Sequence, residues 1–148
     1  MLSISDCARR PRRRSGRISI GRKRRPLIRL ANLTTAKAGA TVHPHERRTL
    51  ERIAAHLRDR FADRIAEVRA FGSRVRGDHG AWSDFDLLVL VRGRDPRIEA
   101  EIIGVIVDEE VMAGLSFAPV IKDADAFEIE KRLRSPFSEN IAREGVLL

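Results

Sequence analysis

The stretch Phe85 to Val91, FDLLVLV, restricts the fold more than any other feature of the chain. Its apolar pattern begins by alternating, then runs on unbroken until Gly93 and Pro96 close it. That is the mark of a strand buried on at least one face, so the chain needs a sheet with something packed against it. Neighbouring patterns supply the cover. Leu50, Ile53, Ala54, Leu57, Phe61 and Ile65 recur at three- and four-residue intervals between charged residues, which predicts an amphipathic helix over 45–64. IAEVRAFGS reads as a short strand at about 66–71, ending at Gly72. Ile98, Ile102, Val105 and Ile106, with Gly114 as a stop, predict a second helix over 97–114. LSFAPVIK predicts a third strand whose Pro119 belongs at an edge or a bulge, and two short helices follow over 124–133 and 137–144. The order helix, strand, strand, helix, strand, helix, helix implies an α+β fold: a small mixed β-sheet flanked by helices.

With 148 residues the chain can bury one ordinary core. Its charge is unevenly placed. Residues 1–43 hold 12 Lys/Arg against one acid, whereas the remainder holds 17 against 20, so the net +8 belongs to a leader and not to the globular part. That leader includes RRPRRRSGR and GRKRRPLIRL and has no sustained hydrophobic period. Self-repulsion without core residues predicts disorder over 1–43 and a folded domain over 44–148. Nucleic acid could be a partner only through phosphate contacts to this arm. A transit peptide, or a translation start placed too far upstream, are the other readings of the segment. The single cysteine, Cys7, excludes a disulfide framework and a Cys-based zinc site. No apolar window approaches the roughly 18 residues of a membrane span, and the N-terminus lacks the apolar core of a secretory signal. The expectation is a soluble, cytoplasmic protein.

Chemistry concentrates in AFGSRVRGDHGAWSDFDLLVLV, residues 70–91. On a strand, Asp84 and Asp86 project from one side with Cα atoms roughly 7 Å apart. Like charges so placed repel unless a cation sits between them, and oxygen-only ligands favour Mg²⁺, which keeps water and substrate phosphates in its shell. Gly72 permits close backbone approach to a bound group, and Ser73 offers a hydroxyl and a backbone N–H at a helix start, where phosphate can sit. Arg76, and less so Arg74, flanks the turn and could neutralise phosphate. Metal carboxylates and a phosphate cradle would then share one cleft.

The spacing Gly72-Ser73-x10-Asp84-x-Asp86 resembles that of the minimal nucleotidyltransferases in the DNA polymerase β-like superfamily, small domains often encoded as antitoxins beside HEPN-type toxins. The resemblance covers about residues 45–148, and the ending SPFSENIAREGVLL looks like the family's common C-terminus. It implies a polymerase β-like nucleotidyltransferase fold and attack by a hydroxyl on the α-phosphate of a nucleoside triphosphate, with pyrophosphate leaving. Gly72 and Ser73 would hold the β and γ phosphates, and Asp84 and Asp86 would bind one or two Mg²⁺ ions as the catalytic pair. ATP as donor, AMP as the transferred group and a hydroxyl of a HEPN-type toxin as acceptor follow from the same resemblance.

One departure stands out. The fuller family pattern carries a third carboxylate on the strand after the second helix, but LSFAPVIK has none. Asp123 lies just past its end and could reach inward only from a bent strand, while Asp108, Glu109 and Glu110 are expected to face solvent. The alternative to an active transferase is therefore a nucleotidyltransferase-fold module that neutralises its partner by contact, or an Arg-armed nucleic-acid binder. Trp82 is expected to pack over a sheet edge in preference to stacking on a base. Arg74 and His79 form an R-x4-H spacing like that of HEPN ribonucleases, but in a glycine-containing turn and not on the long helix that motif needs.

Overall fold

A computed structural model of the chain describes residues 42–80 and 82–148. The expected leader therefore lies outside the described residues, as does Cys7, except for Val42, which is buried in the core, and His43, which precedes the first helix.

Helix α1, Pro44–Phe61, begins with proline at its first position, and the His43 amide donates to Glu46 Oε2 at 2.8 Å. Its stripe of Leu50, Ile53, Ala54, Leu57 and Phe61 is buried as the periodicity requires. A 3₁₀ turn, Ala62–Arg64, leads into β1, Ile65–Phe71. A single helical turn, α2 at Ser73–Arg76, and a loop separate β1 from β2, Phe85–Val91. Helix α3, Pro96–Ala113, starts where the Asp95 side chain accepts from the Arg97 amide at 2.9 Å and stops at Gly114, which has φ +64°. Strand β3, Phe117–Asp123, helices α4, Ala124–Arg132, and α5, Pro136–Glu144, and the two-residue strand β4, Val146–Leu147, complete the chain.

The sheet runs β3-β2-β1-β4. β1 is antiparallel to β2 and β4, whereas β2 and β3 are parallel and take α3 as their crossover. Pro119 thus sits on an edge strand, the position where a residue without an N–H is tolerated. The unbroken apolar run of β2 is explained by cover on both surfaces. Phe85, Leu87, Val89 and Val91 pack with α1 and α3, while Leu88 and Leu90 pack with Phe127 of α4 and Ile141 of α5. The result is the expected small mixed sheet flanked by helices.

Several local features differ from expectation. β4 is too short for any hydrophobic period to reveal it. Glu109, expected in solvent, is 2% exposed at the seam between α1 and α3. Its two oxygens meet Arg52 Nε at 2.5 Å and His56 Nδ1 at 2.9 Å, so α1 supplies the partners that make the burial tolerable. Glu110 accepts from the Phe117 amide at 2.6 Å and ties α3 to β3. Asp123 does not bend inward. It caps α4, accepting from the amides of Asp125 and Ala126 at 3.0 and 3.1 Å. Among the described residues no helix is long and apolar enough to cross a membrane.

Leu87 sits in the covered centre of β2, whereas Leu133 is exposed. Leu87→Ala should cost about 2–5 kcal/mol in chemical denaturation, and Leu133→Ala less than about 0.5 kcal/mol.

Candidate functional site

The β1–β2 pairing places Phe71 opposite Asp86, so the chain leaves β1 at Gly72 directly beside the Asp86 carboxylate. Gly72 has φ +83°, and a Cβ there would lie 2.9 Å from Asp86 Cγ and closer still to Oδ2. Only glycine allows the corner to approach the carboxylate this closely. Immediately after it the chain makes one turn of helix: the Arg76 amide donates to the Gly72 carbonyl at 3.1 Å, and the Gly77 amide to the Ser73 carbonyl at 2.9 Å. One turn has little macrodipole, so any anion held here is held by the first-turn N–H groups and the Ser73 hydroxyl themselves.

Residues 86, 88 and 90 of β2 share the face covered by α4 and α5, since Leu88 and Leu90 pack there. Asp84 precedes them with the same parity and is exposed, while Asp86 is half-buried. Burial, and then the charge of Asp84, push the Asp86 carboxyl above the usual aspartate range; Glu144 adds to the rise and Arg76 opposes it. Four ionisable side chains from β2, its preceding loop, α2 and the end of α5 therefore feel one another at one cleft. Arg76 donates through Nε to Asp78 Oδ2 at 3.1 Å and through Nη1 to both Glu144 oxygens at 2.9 and 3.0 Å, and these bonds raise its own pKa further.

Arg74 has a different task. Its Nε donates to the Ser83 carbonyl, its Nη1 to Glu46 Oε1 at 2.7 Å, and its guanidinium lies 4.7 Å from the centre of the Phe85 ring. It brackets the loop before Asp84 to the first turn of α1. Within that loop the Gly80 amide donates to Ser83 Oγ at 3.1 Å and the Ser83 amide to the Gly80 carbonyl at 3.2 Å. Trp82 does not pack over a sheet edge as expected: it is 96% exposed, because the turn carries it outward, away from either hydrophobic cluster. His79 lies in the same exposed turn and not on a long helix, with Nδ1 3.2 Å from the Gly80 carbonyl.

The structure thus gathers Gly72, Asp86, Asp84 and Arg76, with Ser73 at the corner. It adds Glu144, which sequence reasoning passed over although it stands inside the quoted C-terminal ending. Ala118 is in register with Asp86 on β3, so a methyl group occupies the place where a third carboxylate was sought. Among the described residues no three His, Cys, Asp or Glu side chains cluster closely enough to hold a metal ion. The pair itself suits a hard divalent cation: one carboxylate at the start of β2 and one from the loop just before it, the first held above its normal pKa by burial and then by its neighbour's charge, beside backbone that only glycine leaves open. A groove between α1 and α3, lined by His56, Glu109 and Met112 among others, belongs to the other side of the sheet and includes none of these groups.

A family model described as "Nucleotidyltransferase domain" matches residues 50–147, which contain the whole of this cleft. A solved structure described as that of a candidate minimal nucleotidyltransferase is 28% identical, covering 69% of this chain and 91% of its own, with a TM-score of 0.48. No curated protein matches the chain.

The raised Asp86 pKa fixes the sign of a pH effect. The folded state holds this proton more tightly than the unfolded chain, so ionising Asp86 as pH rises through its raised value removes stability, and the loss persists at neutral pH. Asp86→Asn should therefore raise Tm at pH 7, with the gain shrinking as pH falls through the raised pKa and gone below the ordinary aspartate range. Gly72→Ala should lower stability by more than about 1 kcal/mol in urea denaturation, because it combines a strained φ with a clash against Asp86.

Proposed function

Because the chain belongs to the nucleotidyltransferase domain family, we propose that it transfers a nucleoside monophosphate, AMP from ATP, to a hydroxyl of a partner protein, and that it acts as the antitoxin of a HEPN-type toxin in the cytoplasm. The observation that carries the reading is the contact between the Gly72 backbone and the Asp86 carboxylate. It supports a single cleft in which triphosphate and metal ligands meet.

In this reading Gly72 and Ser73 receive the β and γ phosphates through backbone N–H groups and the Ser73 hydroxyl, and Arg76 at the rim adds positive charge. Asp84 and Asp86 would hold Mg²⁺, which when bound neutralises charge on the attacking and leaving oxygens. The new bond joins the acceptor oxygen to the α-phosphorus, the bond to the bridging oxygen breaks, and pyrophosphate departs. The chain's own contribution is positioning: the corner fixes the triphosphate tail so that the α-phosphate lies beside the carboxylates. Exposure of Asp84 and of the loop carrying Trp82 leaves this side of the cleft open to a macromolecular acceptor.

Ala118 favours a second reading. Without a carboxylate beside Asp86 on β3 the domain has fewer acidic ligands and no evident base, which is consistent with a module that neutralises its partner by contact alone. Incubation with α-labelled ATP, Mg²⁺ and the neighbour-encoded partner separates the two. Transfer predicts label on the partner, reduced about 100-fold or more by Asp84→Ala and by Asp86→Ala. Stoichiometric neutralisation without label supports the contact module and ends the enzymatic reading. The nucleic-acid alternative predicts DNA affinity that falls steeply with salt and vanishes when residues 1–41 are deleted.

A further inference from the structure

Arg76 stands among several acidic side chains. It is bonded to Asp78 and Glu144, and its backbone amide bonds the carbonyl of Gly72, the residue that lies directly against the Asp86 carboxylate. A guanidinium beside two mutually repelling carboxylates is the natural occupant of the space between them, since Arg pairs with carboxylates strongly and through two N–H groups at once. The guanidinium is instead bonded to Glu144, whose two oxygens both accept from Nη1.

Glu144 is also the best fixed of the groups involved. Its side chain is 12% exposed, against 41% for Arg76 and 61% for Asp78. It ends α5 just where the chain is stitched onto β1: the Gly145 amide bonds the Ile141 carbonyl at 2.9 Å, Arg69 Nη1 donates to the Gly145 carbonyl at 3.3 Å, and β4 pairs with Ala70 and Arg69. A Cβ on Gly145 would fall 2.5 Å from the Ile141 carbonyl oxygen, so only glycine permits this tight return. The strand to which Glu144 is tied is the strand that ends at Gly72. Carboxylate and cleft are thereby held in one frame.

We propose that Glu144 is a positioning residue that holds the Arg76 guanidinium off the Asp84–Asp86 pair, keeping both carboxylates open to a divalent cation while leaving Arg76 at the rim for a triphosphate. This rests on the reading of the cleft as a metal and triphosphate site. Glu144 is not itself a third metal ligand: both its oxygens are engaged by Arg76, and the described residues form no cluster of three metal-binding side chains.

The test is binding of Mn²⁺ alone to the full chain. Calorimetry gives the affinity, and quenching of Trp82, the only tryptophan and two residues before Asp84, locates the ion. Glu144→Gln, which keeps the shape and removes the charge, should weaken Mn²⁺ about tenfold as Arg76 turns onto the freed carboxylates. Arg76→Ala alone should bind at least as tightly as the wild type, and adding Arg76→Ala to Glu144→Gln should restore wild-type affinity. Thermal melts verify that each variant is folded. A double variant as weak as Glu144→Gln would make Glu144 a direct ligand and overturn the proposal, as would a Glu144→Gln protein that binds like the wild type. If the wild type binds no Mn²⁺ and Asp86→Ala changes nothing, the metal-site reading itself falls and takes this inference with it.

Discussion

The register of β1 against β2 governs the rest of the molecule. Pairing Phe71 with Asp86 puts the chain's exit from β1 at the level of the carboxylate. The same register sends Leu87 and Val89 toward α1 and α3 and Leu88 and Leu90 toward α4 and α5. Because side chains alternate along a strand, a slip of one residue would turn Asp86 into the α1–α3 core and Leu87 toward the cleft. Burial of the apolar run and placement of the acids are therefore one constraint. The core keeps the register, and the register builds the cleft.

That cleft carries electrostatic tension. Asp86 is held above its ordinary pKa by burial and by Asp84, an arrangement a folded chain gains nothing from by itself. A bound cation would relieve such tension. Two arginines on one turn divide the surrounding work. Positions two apart on a helix do not share a face, so Arg74 points back to Glu46, Ser83 and the Phe85 ring while Arg76 points to Asp78 and Glu144. The first fixes the loop that delivers Asp84. The second stands at the edge of the cleft.

The C-terminus takes part in the site instead of merely ending the chain. Leu148 donates its amide to the Val68 carbonyl at 3.0 Å and accepts from Arg58, so the last residues are bound to both β1 and α1. Through them α5 is set against the cleft and Glu144 is brought to Arg76. On β3, by contrast, Ala118 offers no acid beside Asp86. Membership in the nucleotidyltransferase domain family gives the general chemistry, and in this chain Ala118 stands on one side of Asp86 while Glu144 holds Arg76.

Much of this was legible in the sequence because it depends on local pattern. The three-and-four spacing from Leu50 to Phe61, the apolar run after Asp86 and the Gly114 stop each report a helix, a strand or a boundary without knowledge of neighbours. Gly72, Ser73, Asp84 and Asp86 could be singled out because a fixed spacing across a strand, a turn and a strand brings them together whenever that unit forms. The tertiary structure alone decided what depends on partners far along the chain. Burial of Glu109 needed Arg52 and His56 from another helix, the exposure of Trp82 followed from how Arg74 anchors its turn, and the diversion of Arg76 to Glu144 crosses 68 residues. Periodicity records which side of an element is apolar, but it carries no information about which charge will meet which, since that is settled by long-range packing.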